Sequence, residues 1–139
     1  MTNIGHFRAT GELLQEDTLK SKLWIAPPTK MDERILKEEG FYDIFEKAGV
    51  QLEMPGCSLC MGNQARVKDN ATVLSTSTRN FPNRLGKGAN VYLASAELSA
   101  ITAIEGRIPT PELYQEKMKS IDNKRQEIFK YMNFHEMDM

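Results

Sequence analysis

Several residue types that mark particular protein classes are scarce in this sequence. Two cysteines in 139 residues are too few for a disulfide-stapled scaffold. No apolar run approaches the roughly 20 residues that a helix needs to span a bilayer. The first twenty residues hold Glu12, Glu16 and Asp17 and no long apolar stretch, so no secretion signal is visible. An excess of one charge is missing too: 18 Lys plus Arg face 19 Asp plus Glu, a net charge of −1. That balance argues against a module that binds nucleic acid by charge alone. There is no repeat, low-complexity tract or Ser/Gly-rich linker. What remains is a globular chain, 40% hydrophobic, long enough for one compact domain or a piece of a larger one. A reducing, cytoplasmic location is expected, with one conspicuous sulfur site.

The elements alternate. Residues 3–15 read as a helix, and Lys22–Ala26 as a short strand stopped by Pro27-Pro28. A helix from Thr29 to Gly40 and another over Phe41–Lys47, closed by Gly49, follow the 3/4 spacing of apolar residues. Val50–Met54 alternates as a strand and ends at Pro55-Gly56; Thr72–Ser77 is a β-branched strand. A polar turn over 79–88 leads to a strand at Val91–Ala94. Ser95 caps a helix over 96–105 closed by Gly106, and Thr110-Pro111-Glu112 opens a charged helix with Ser120 and Asp122 as breaks. This order predicts an α/β fold: a single three-layer domain whose mainly parallel, doubly wound sheet is flanked by helices. Residues 1–110 are expected to form that domain, and 111–139 a helical extension packed on it. Functional groups in such folds gather beyond the carboxyl ends of strands. Two suggestive segments lie there.

The first is Cys57-Ser58-Leu59-Cys60, whose C-x-x-C spacing can aim two thiolates at one soft metal centre. Spacing alone leaves several readings open. A thioredoxin-type redox dithiol uses the same motif after a strand, although no Trp precedes it here. Zinc needs four ligands, and only His6 and His135 remain as nitrogen donors, neither with a recognisable spacing. An iron–sulfur cluster needs further thiolates from elsewhere. An inert buried pair is the plainest alternative.

The second segment, Arg79-Asn80-Phe81-Pro82-Asn83-Arg84, sets two guanidiniums on one proline-stiffened loop. Each can grip a carboxylate through two parallel hydrogen bonds, which suits a di- or tricarboxylate. Ordinary surface salt bridges are the competing reading. Gly86-Lys87-Gly88 lacks the G-x-x-x-x-G-K-[ST] pattern of a phosphate loop.

Taken together, residues 55–66, with their C-x-x-C-x-G, and the Ser/Thr-rich strand of 75–78 running into R-N-F-x-x-R resemble the aconitase superfamily, in particular its bacterial B branch. The likeness extends from Met1-Thr2-Asn3-Ile4-Gly5-His6-Phe7-Arg8 through Trp24-Ile25-Ala26-Pro27-Pro28-Thr29 to Tyr131-Met132-Asn133-Phe134. It implies an aconitase-type α/β fold and a [4Fe–4S] lyase that interconverts citrate and isocitrate through cis-aconitate, in that branch often acting on 2-methyl-cis-aconitate too. Cys57 and Cys60 match two of the family's three cluster cysteines, and Arg79 and Arg84 its two substrate-carboxylate arginines on this loop. Thr78 stands where many members have Asn, as fits the B branch.

The resemblance places the third cysteine in a Gly-Ser-Cys segment directly before Met1. The chain is therefore expected to be the C-terminal domain of such an enzyme, inactive alone. The remaining domains or a partner chain would supply the missing thiolate and the catalytic acid and base. No residue here matches the family's serine base or His–carboxylate pairs, so no catalytic residue is assigned. Some aconitases bind mRNA, but no basic patch points to RNA binding by this chain, and no membrane association is expected. Two alternatives from other classes are a stand-alone C-x-x-C redox module and a non-catalytic tricarboxylate-binding domain.

Overall fold

A computed structural model describes residues 3–15, 17–56, 66–77 and 79–130. Cys57, Cys60, Thr78, His135 and the 131–134 motif lie outside these residues.

The first helix, α1 (Ile4–Leu14), is buried along most of its length. His6 begins it by accepting the Asn3 N–H at Nδ1, at 3.0 Å, so one of the two candidate nitrogen ligands is engaged as a helix cap. After β1 (Trp24–Ile25), α2 (Lys30–Glu38) starts where the Thr29 hydroxyl accepts the Asp32 amide at 3.1 Å. Gly40 at φ 85° turns directly into α3 (Phe41–Ala48), and Gly49 at φ 87° ends it, both in the left-handed region that glycine tolerates. The next strand, β2 (Gln51–Leu52), returns parallel to β1, with Trp24 opposite Gln51 and Ile25 opposite Leu52.

The second pair is β3 (Thr72–Ser75) and β4 (Asn90–Leu93), also parallel, with Ser75 opposite Leu93. Parallel strands need a long connection to bring the chain back, usually a helix. Here residues 76–89 make the return without a helix among the described residues, and they carry the arginines. The described strands thus form two parallel pairs rather than one continuous sheet, flanked by helices.

The Ser95 hydroxyl accepts the Leu98 amide at 3.1 Å and starts α4 (Ala96–Glu105), which ends at Gly106, φ 76°. Thr110 does the same for α5 (Pro111–Asn123). Neither Ser120 nor Asp122 breaks α5, which runs on to Asn123; the Ser120 hydroxyl donates to the Lys117 carbonyl within the helix. A short α6 (Arg125–Ile128) follows.

One apolar core joins α1, α2, α3 and α4, with Phe7, Leu14, Leu36, Phe45, Ala100 and Ile101 inside it; α5 and α6 add Ile121 and Ile128. At the α1–α3 contact, a Cβ on Gly11 would lie 2.2 Å from Phe41 Cδ1, so the helices approach through glycine's missing side chain. Arg8 is buried on α1. Its Nε and Nη2 make two 2.8 Å bonds to the Glu39 carboxylate, and Nη1 donates to the Ile128 carbonyl at 3.2 Å. That one guanidinium ties the ends of α2 and α6 to α1. No described helix is long and apolar enough to cross a membrane.

Candidate substrate and cluster site

The chain enters the cysteine segment from a fixed point. Gly56 donates its N–H to the Pro27 carbonyl at 2.8 Å, with φ 126°, a conformation that suits glycine. It leaves the segment onto the arginine loop. Val67 N donates to Leu85 O at 2.8 Å and Asn70 N to Lys87 O at 2.9 Å, while Arg66 Nη2 reaches Asn83 O at 3.4 Å. Residues 57–65 are therefore bounded by an anchor on the β1–β2 unit and an anchor on the loop that holds Arg79 and Arg84. The residues that follow the cysteine segment are thus joined to the arginine loop.

Glycine makes that join possible. A Cβ on Gly86 would sit 2.7 Å from the Val67 carbonyl oxygen. One on Gly88, at φ 67°, would sit 2.3 Å from Asn70 Oδ1. Gly86 and Gly88, which form no phosphate-loop pattern, instead let 66–71 lie against the arginine loop. Asn83, itself left-handed at φ 61°, accepts the Gly88 amide at Oδ1, 2.8 Å, and closes the turn.

The two arginines occupy different surroundings. Arg79 is exposed. Arg84 is 2% exposed, and its Nη2 donates to Ser75 Oγ at 3.0 Å. Ser75 Oγ also accepts the Ser77 amide, and Ser77 Oγ accepts the Arg79 amide, each at 3.2 Å. The hydroxyls of Ser75 and Ser77 thus shape the end of β3 and the loop behind it. Asn80 braces the other side by donating from Nδ2 to the Val91 carbonyl at 3.0 Å. Phe81 and Pro82 line an open groove of about 390 Å³ along β4.

A larger cleft, about 560 Å³, lies away from this loop, between Arg8, Glu12, Glu39, Phe41 and α6. No sequence motif marks it, because its lining residues come from distant parts of the chain. Within its lining, Arg8 and Lys130 meet Glu39, while Glu12 meets Lys124, just outside the lining, at 3.0 Å. The Arg8 hydrogen bonds hold the Glu39 carboxyl below its ordinary range against the opposing effect of burial. Tyr42, whose hydroxyl is buried, is pushed up to about 12 by burial and then by the nearby Glu33 charge. Both perturbations sit in the helical packing rather than at the arginine loop.

The aconitase family (aconitate hydratase) matches residues 2–106. Aconitate hydratase B of Escherichia coli (strain K12) is 59% identical over 139 residues, which cover 99% of this chain and 16% of that protein. The aconitate hydratase B of Salmonella typhimurium (strain LT2) is also 59% identical, with the same coverage. That of Synechocystis sp. is 58% identical over 143 residues, again 99% of this chain and 16% of the relative. The chain spans about one sixth of the length of these relatives. With both motifs in place and the match running from end to end, the chain belongs to the aconitase family.

Proposed function

We propose that this chain supplies the carboxylate-gripping and cluster-holding part of an aconitate hydratase, a hydro-lyase that interconverts citrate and isocitrate through cis-aconitate. The observation that carries this reading is that residues 66–70, which follow the Cys57/Cys60 segment in sequence, are hydrogen-bonded to the loop bearing Arg79 and Arg84. In this reading the two guanidiniums, charged at any physiological pH, hold substrate carboxylates through paired hydrogen bonds. Arg84 does so from a buried position where water competes least, and Arg79 from the exposed rim. Fixing the carboxylates orients the carbon skeleton for loss and return of water.

The donor chemistry fits a [4Fe–4S] cluster, because thiolates are its usual protein ligands and C-x-x-C can present two to one centre. Cys57 and Cys60 would hold it, together with a thiolate from outside these 139 residues. When bound, the cluster supplies an iron Lewis acid with an open position for a substrate hydroxyl. The carbon-bound proton and the departing oxygen still need a base and an acid, which the rest of the enzyme provides. In this reading residues 1–110 form the domain that carries the site, and α5 and α6 extend it. The thiolates suit a reducing cytoplasmic setting.

The test is anaerobic iron–sulfide reconstitution followed by an aconitate hydration assay. The chain should hold no stable cluster and show no turnover alone. Both should appear when it is co-produced with the remainder of an aconitate hydratase B, and Arg79→Lys should then raise KM for citrate at least about tenfold. Robust turnover by the chain alone, or no turnover in the assembled protein, overturns the reading.

A further inference from the structure

We infer that Ser75 is a positioning residue for both arginines of the loop. The inference deepens the carboxylate-binding reading above and rests on it. Ser75 is the last residue of β3, and its backbone is fixed by pairing opposite Leu93. Its Oγ accepts two hydrogen bonds, from Arg84 Nη2 at 3.0 Å and from the Ser77 amide at 3.2 Å. The second bond orders the turn in which Ser77 Oγ, itself buried, receives the Arg79 amide. One hydroxyl therefore sets a guanidinium directly and the start of the other arginine through a single relay.

The distinction matters because a guanidinium fork is planar. Its paired bonds to a carboxylate form only when the plane is correctly turned. Pinning one Nη to a strand end fixes that plane before ligand arrives, which removes an ordering cost from binding. A residue that merely completes the strand would not couple two arginines, five positions apart in sequence, to one oxygen. Ser77 acts on Arg79 alone, so the two serines have separable consequences.

Nitrogen-15 NMR of the arginine side chains and loop amides in the full chain, with citrate as the titrant, tests this. In the parent and in Ser75→Thr, which keeps the hydroxyl, Arg84 should show slowed Nη rotation, and the Arg79 amide should be protected from exchange. Ser75→Ala should lose both signatures and weaken the citrate response about tenfold. Ser77→Ala should release the Arg79 amide and leave Arg84 unchanged.

Unchanged signatures in Ser75→Ala, or failure of Ser75→Thr to retain them, overturn the proposal. If Ser75→Ala does not fold, Ser77→Ala decides: release of Arg79 alone supports the relay, and no release overturns it. A parent chain with intact signatures but no response to millimolar citrate overturns the carboxylate reading itself, and leaves Ser75 as a structural anchor only.

Discussion

Around α1 the largest fully buried side chains include Phe45, Leu14, Leu36 and Ile101, whereas between residues 66 and 94 the largest is Arg84. No described residue from 53 to 99 joins the central apolar cluster. In the loop half, Leu85 is the one large apolar side chain that is buried among the described residues, beside Ser77 and Gly86. The helical half is held by apolar area removed from water, which is non-directional and tolerant of small shifts. The loop half is held by hydrogen bonds from backbone and side chains, which are directional and fix atoms at defined places. A scaffold needs the first, and the proposed grip on a carboxylate ligand needs the second.

The largest expected effect of testing this contrast lies in the helical half. Phe45→Ala, at a position with no exposure, should cost about 3–5 kcal/mol by loss of transfer energy and creation of a cavity. Urea denaturation would measure it; a loss below about 1 kcal/mol would mean that the core is not the main source of stability.

An intermediate effect is expected where the helical half borrows the loop half's chemistry. Arg8→Met should cost about 1.5–3 kcal/mol, because it removes charged hydrogen bonds to Glu39. The pH dependence gives a second readout. A carboxyl held below its ordinary value of 4.5 stabilises the fold above that value, and the contribution fades as pH falls through the lowered value. The acid limb of the stability curve should therefore flatten in Arg8→Met, while an unchanged limb would assign the acid sensitivity elsewhere.

The smallest effect belongs to the loop. Gly88→Ala places a Cβ against Asn70 Oδ1 in left-handed backbone and should cost about 1–2 kcal/mol. Hydrogen exchange should show it as faster opening confined to 66–71 and 83–90. Opening that spread through α1 and α4 would show that the two halves are one cooperative unit.

Much of the helical half could be read from the chain. The stops at Gly49 and Gly106 and the caps at Thr29, Ser95 and Thr110 act locally, within one turn of the residues that announce them. The class of fold was readable for the same reason: short apolar runs alternate with 3/4-spaced ones. What escaped was set over longer distances. Nothing near Arg8 in sequence signals that Glu39 and the Ile128 carbonyl will surround it. Nor does the loop sequence separate a buried Arg84 from an exposed Arg79, since both follow the same kind of polar stretch. The pairing of strands two by two also depends on partners far apart in the chain. At the candidate site, the motif spacing points to the arginines and the cysteine pair, but the link from Val67 to Leu85, which fixes the residues after the cysteine segment on the arginine loop, has no local signal.

That no described residue between 53 and 99 belongs to the central apolar core has a thermal consequence. Exposing apolar surface raises heat capacity and bends the stability curve, while exposing polar surface lowers it. Local opening of the loop half should thus carry a small heat-capacity change and vary gently with temperature, whereas opening of the helical half should follow a pronounced dome. On cooling toward freezing, the helices lose part of their advantage as hydrophobic burial weakens, and the grip around Arg84 keeps most of its own.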